Sequence, residues 1–194
     1  MLFFSVSRKG DNIPETKAGF ETGHHVSKAD IKIEGGKAGR YMVLRRTKDK
    51  TAKLDGAFAG KPLPEGESQL CAFTAISTLN EMDPIRNHED PAKIPLFRHT
   101  NGQPITGPEL LKFLRVMLKV VGEVPEHFGT HSLRIGGATL AMACPGSSEY
   151  TVRMMGYWAG DSIRLYTRPT RDAIIDLAKT MMSATTLNVF RPNE

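Results

Sequence analysis

Apolar positions recur along this chain with two periods, and the change from one to the other divides it into elements. Residues 29–33 and 41–46 alternate apolar and polar side chains on either side of the turn Gly35-Gly36-Lys37-Ala38-Gly39, the pattern of a β-hairpin. Further on the period becomes helical. Leu70, Phe73, Ile76 and Leu79 predict a helix over 69–82 with Ser68 as its cap. Thr106-Gly107-Pro108-Glu109 is a capping box with proline inside the first turn. Leu110, Leu114, Met117, Leu118 and Val121 continue it as one apolar stripe that ends at Gly122. Later helices are predicted to start near His131, to run from Ser147 or Ser148 to Gly156, and to span 170–182, with a short turn from Asp161 to near Tyr166. Residues 1–9 read as the end of a helix and 10–28 as loop. The Gly- and Pro-rich stretch 54–67 reads as a flexible connection. Residues 83–104 read as an extended loop around the short segment Ile94-Pro95-Leu96-Phe97. These elements make an α+β fold, mainly α, with a small antiparallel sheet near the N-terminus, and 194 residues give it one substantial core.

Composition narrows this little. Hydrophobic content of 40% with 24% charged residues excludes a disordered chain. Cys71 and Cys144 supply neither a disulfide framework nor metal-ligand spacing, so a reducing, intracellular compartment is the expectation. The apolar opening meets Arg8-Lys9 too early for a signal peptide or a membrane span, and no membrane partner is expected. His24-His25 has no carboxylate or thiol at ligand spacing beside it, so no metal is implied.

The net charge of +5 permits nucleic-acid binding, and its distribution says more than its sum. Lys37, Arg40, Arg45, Arg46, Lys48, Lys50 and Lys53 stand against Asp49 alone. Lys112, Arg115 and Lys119 occupy further faces of the helix that follows Thr106. A solvated hairpin and a solvated helix face are the ordinary explanations of such runs. Arg45, Arg46, Lys50, Lys112 and Arg115 are the candidates for contact with a DNA backbone.

The chemistry concentrates in Thr130-His131-Ser132-Leu133-Arg134-Ile135-Gly136-Gly137-Ala138-Thr139, followed by Gly156-Tyr157-Trp158 and by Tyr166. His-x-x-Arg at the start of a helix sets an imidazole and a guanidinium within one turn of each other. Both lie near free backbone N–H groups that favour an anion. Gly136 and Gly137 cost helix stability, about 1 kcal/mol each relative to Ala, which suggests close approach of a neighbour or of DNA.

This ordered set resembles the C-terminal half of the tyrosine recombinases (phage-integrase family). It is closest in flavour to the recombinases of eukaryotic Crypton- and DIRS-like transposable elements, where Trp replaces a second His. The resemblance covers nearly the whole chain, 1–194, as a catalytic domain, without the family's N-terminal DNA-clamping domain or the start of its first catalytic helix. By the resemblance Arg8 matches the first catalytic arginine, in the segment Phe3-Phe4-Ser5-Val6-Ser7-Arg8. Lys48 matches the lysine on a β-hairpin beside the scissile phosphate, with Lys50 its near rival.

The catalytic set implied is Arg8, Lys48, His131, Arg134, Trp158 and Tyr166. The arginines and the indole N–H would neutralise the phosphate, Tyr166 would attack it, His131 would take part in proton transfer, and Lys48 would protonate the leaving 5′ oxygen. The resemblance implies site-specific recombination or integration on double-stranded DNA through a covalent 3′-phosphotyrosyl link. It also implies a homo-oligomer, a tetramer on DNA, with no cofactor, acting in the nucleus if the source is eukaryotic. Three other readings stay open: a non-catalytic DNA-binding remnant of a transposon recombinase, relaxation of DNA in the manner of a type IB topoisomerase, and a structural helical domain whose motif match is accidental. The helix over 170–182 would dock on a neighbouring protomer, as the family's last helix often does.

Overall fold

The computed structural model describes residues 2–36, 39–45, 60–68, 70–158, 160–166, 174–176 and 178–179. Its sheet has three antiparallel strands, β1 (Ile31–Gly36), β2 (Gly39–Arg45) and β3 (Gly60–Pro64), side by side in that order. The hairpin of β1 and β2 is the one the alternation predicts, and Met42 and Leu44 of β2 face the core. β3 lies inside the stretch expected to be a flexible connection. Its register sets Leu44 opposite Lys61 and Met42 opposite Leu63, so Lys61 and Leu63 share the inner face while Pro62 and Pro64 point outward. Proline donates no backbone hydrogen bond and is tolerated in edge strands. β3 is such an edge, which is why its prolines do not prevent a strand.

The first helix, α1 (Ala72–Met82), begins later than predicted. Cys71 caps it, its Sγ accepting the Thr74 N–H at 3.5 Å, whereas the Ser68 hydroxyl accepts the Leu70 N–H at 3.1 Å outside the helix. Leu70 is therefore 73% exposed and not part of the stripe, while Phe73 and Ile76 are buried. These two residues meet Val26, Met42, Leu44, Leu63 and Leu96 in the larger of two core clusters. Leu96 reaches that core because the segment 94–96 is tied to 26–28 by Leu96 N–H to Val26 O and Lys28 N–H to Ile94 O, both 3.0 Å.

Beside this core lies a group of charges. Arg98 grips Asp83 through Nε and Nη2 at 2.8 Å each and Glu89 through Nη1 at 2.9 Å, and Lys28 reaches Asp83 Oδ2 at 2.9 Å. The Arg98 guanidinium holds both carboxyls down at about 2, well below the ordinary carboxylate range.

The capping box at Thr106 forms as read: Thr106 N–H donates to Glu109 Oε2 at 2.8 Å, and Glu109 N–H to Thr106 Oγ1 at 3.4 Å. It opens α2 (Gly107–Val120). The apolar stripe of α2 is only partly used, since Met117 is 45% exposed and Val121 69%.

The chain's first residues depart further from expectation. Residues 2–6 form a turn, not a helix end, closed by Val6 N–H to Phe3 O at 3.2 Å and Ser7 N–H to Leu2 O at 3.1 Å. This turn packs on α3 (Thr130–Ala143), α4 (Glu149–Gly156) and the 3-10 helix Gly160–Leu165. Val6, Ala138, Val152, Trp158 and Ile163 are the centre of this second core cluster. Residues 174–176 and 178–179 are helical, and the rest of the helix expected over 170–182 lies outside the described residues. Among the described residues no helix is long and apolar enough to cross a membrane.

Candidate active site

Next to the second core cluster is a close contact that only glycine allows. A Cβ on Gly137 would stand 2.2 Å from the Phe3 carbonyl oxygen, and one on Gly136 would stand 3.1 Å from the Phe3 ring. The glycines of α3 therefore admit the N-terminal turn, a neighbour rather than DNA. This approach brings Val6 to α3, where its carbonyl meets Arg134, one helical turn from His131. The N-terminus of α3 is closed by Gly129 N–H donating to the Ser132 hydroxyl at 3.1 Å.

Arg134 is 2% exposed. A buried guanidinium is costly unless it is well partnered. Its Nη1 donates to Val6 O at 2.7 Å and its Nη2 to Gly156 O at 2.9 Å, so two separate chain segments converge on one side chain. Two aromatic rings cover it: its Cζ lies 4.2 Å from the Trp158 ring centroid and 5.1 Å from that of Tyr166. Burial, and next the charge of Arg8, push its pKa down to about 10, with Tyr166 and Asp11 opposing, so it stays a cation at neutral pH.

Trp158 reaches this position through two backbone features. Tyr157, at φ 51°, ends α4 in the left-handed conformation and turns the chain back. Gly156 then lets the indole lie against its own Cα, where a Cβ would meet the ring at 1.8 Å. Trp158 is 3% exposed, and among the described residues neither its Nε1 nor Arg134 Nε has a hydrogen-bond partner. Buried donors without acceptors are rare and call for an explanation.

Tyr166, at the end of the 3-10 helix, is half-buried between these groups. Its ring centroid is 5.0 Å from that of His131 and 5.0 Å from that of Trp158, and its carbonyl accepts from Thr139 Oγ1 at 3.3 Å. Loss of water around the His131 ring, then the charges of Arg134 and Arg8, lower the His131 pKa below its ordinary value. Arg8 is exposed, directly precedes the 3-10 turn Lys9–Asp11, and sits close enough for its charge to act on both His131 and Arg134.

Five of the six residues singled out in the sequence thus gather at one place: Arg8, His131, Arg134, Trp158 and Tyr166. The sixth, Lys48, lies outside the described residues, as do Lys50 and Arg46. Arg45 is exposed at the end of β2, and Lys112 and Arg115 are exposed on α2. Sequence reasoning missed the carbonyls of Val6 and Gly156, which carry no side-chain signature. It also missed Lys61, whose alternation with Leu63 was hidden by the flanking prolines.

No protein-family model matches the chain, and no curated protein matches it. Among solved structures the chain has the fold of XerH site-specific recombinase, which was crystallised bound to its difH substrate in a pre-cleavage complex. The TM-score is 0.54 at 19% identity, over 91% of this chain and 44% of that one. The Tn1549 transposon integrase in complex with circular intermediate DNA matches at a TM-score of 0.48 and 15% identity, over 93% of this chain and 57% of that one. The chain thus spans less than half the length of the XerH recombinase whose fold it shares.

Proposed function

We propose that residues 1–194 are the catalytic domain of a tyrosine recombinase that cuts and rejoins double-stranded DNA at specific sites, with Tyr166 as nucleophile. The observation that carries this reading is the buried cation Arg134 enclosed by Trp158 and Tyr166, with two N–H donors, Arg134 Nε and Trp158 Nε1, that have no partner among the described residues. A phosphodiester oxygen is a fitting acceptor for such donors, and a metal-free cleavage needs cations at the non-bridging oxygens as charge builds. Arg8 adds the second guanidinium.

Tyr166 Oη attacks the phosphorus and the bond to the 5′ oxygen breaks, leaving a 3′-phosphotyrosyl link. A phenol with a pKa near 10 needs a base at neutral pH. His131, kept neutral by its surroundings, accepts the phenolic proton. Lys48 gives a proton to the departing 5′ oxygen, and attack by a 5′ hydroxyl reverses both transfers. DNA is held by Arg45, Arg46, Lys50, Lys112 and Arg115, and the active assembly is a homo-oligomer, a tetramer on DNA. Crypton- and DIRS-like transposable elements are the proposed relatives, on the strength of Trp158 in place of a second His, which makes the nucleus the proposed compartment.

One observation favours a second reading, a DNA-binding remnant without turnover: both terminal nitrogens of Arg134 already serve backbone carbonyls. A pool of randomised duplexes, each with a single nick that traps the cut strand, separates the two. An adduct that survives denaturation with the wild-type chain and is absent with Tyr166→Phe, binding being equal, supports the recombinase. DNA binding with no adduct from the wild type supports the remnant.

A further inference from the structure

We infer that Lys61 is a positioning residue for this site, holding a strained turn at residues 5–7 through which Arg134 and Arg8 are set; the inference rests on the recombinase reading above. Lys61 sits on the inner face of β3, directly opposite Leu44 and two residues from Leu63, and is 8% exposed. An apolar residue would suit that face better for folding alone, because an ammonium loses water there. The Lys61 stem instead carries its Nζ out of the sheet to the N-terminal turn. Nζ donates to Ser5 O at 2.7 Å and to Ser7 Oγ at 3.1 Å, and the Ser5 and Ser7 hydroxyls lie 2.7 Å apart.

Between those serines Val6 has φ 48°, a left-handed conformation that a β-branched residue reaches only when its surroundings impose it. The consequence reaches the site directly. Val6 O is the acceptor for Arg134 Nη1, and Arg8 follows two residues later. Lys61 from the sheet and Arg134 from α3 thus grip consecutive carbonyls of one turn from two different elements. The Lys61 ammonium also stands 4.7 Å from the Tyr157 ring centroid, beside Gly156, whose carbonyl receives the other Arg134 nitrogen. One lysine therefore touches both chain segments that fix Arg134.

The test is Lys61→Met in the full chain, with Lys61→Arg as the conservative variant, read by adduct formation on nicked duplexes, DNA affinity and a crystal structure. The expected result for Lys61→Met is a fall in adduct rate of about 10- to 100-fold with DNA affinity within about twofold of wild type. Its structure should show Val6 relaxed to negative φ and its contact with Arg134 broken. Lys61→Arg should recover most of the rate. Ser7→Ala removes one acceptor of Lys61 with little change in volume and gives the same readings should Lys61→Met not fold. An unchanged adduct rate, a rate and affinity that fall together, or a variant structure with Val6 still at positive φ on Arg134 would overturn the inference. If the wild-type chain itself forms no adduct, the recombinase reading fails, and the variant structure alone decides whether Lys61 sets the turn.

Discussion

At the scale of single residues, charge placed out of water is the theme, and His131 is where it becomes measurable. Its folded pKa lies below the ordinary 6.5, so the unfolded chain binds the proton first as pH falls. The contribution of His131 to stability is therefore present above about 6.5 and is lost as pH drops through the lower folded value. The same neutral imidazole is the proposed base, so single-turnover adduct formation should stay level through neutrality and decline only below about 6.5. His131→Gln should lower the plateau by about 100-fold and remove that acid limb. An acid limb that persists in His131→Gln would assign the titration to another group.

At the scale of elements, two glycines decide how the pieces meet, and the single tryptophan of the chain reports on one of them. In Gly156→Ala a Cβ would overlap the Trp158 ring at 1.8–2.5 Å, so the indole must leave its buried place. We expect emission to move to longer wavelength, adduct formation to be lost, and stability to fall by about 1–3 kcal/mol. Gly137→Ala crowds the Phe3 carbonyl instead and should destabilise by a similar amount of about 1–3 kcal/mol while leaving the emission in place, because the three atoms nearest its Cβ all belong to the Phe3 backbone. Equal spectra for the two variants would contradict this division of roles.

What was legible in the sequence follows the same line. The Thr106 box and the β1–β2 hairpin are local patterns, and both formed as read. The strand at β3 was not legible, because Pro62 and Pro64 count against a strand unless it is known to lie at an edge. Arg134 and Trp158 could be matched by spacing, but the anchoring of Arg134 to Val6 O and Gly156 O could not, since it depends on contacts between residues 128 and 22 positions apart.

At the scale of the whole molecule, the candidate site lies in the smaller core, and the larger core is secured elsewhere, by the charges around Arg98. Lys28 and Arg98 have side chains only 2% and 7% exposed, so removing their shared partner Asp83 leaves two buried cations short of an anion. Breaking such a pair costs about 3–5 kcal/mol. The Asp83 side chain is 31% exposed, which lets water compensate in part, so for Asp83→Asn we expect about 2–3 kcal/mol. The pH dependence has a definite sign. The Asp83 carboxyl is held down at about 2 against an ordinary 3.8, so its stabilisation is complete above about pH 4 and disappears as pH falls toward 2. Glu89, also held at about 2 by Arg98, acts in the same direction. Acid titration followed by far-ultraviolet circular dichroism should give a wild-type transition in that window. In Asp83→Asn the molecule should be less stable at pH 7 and lose less on further acidification, because one of the two depressed carboxyls is gone. Since Asp83 lies beside the larger core and Tyr166 beside the smaller, Asp83→Asn should lower the melting temperature yet leave adduct formation below that temperature close to wild type. A variant that melts normally but forms no adduct would mean that this charge group shapes the candidate site itself.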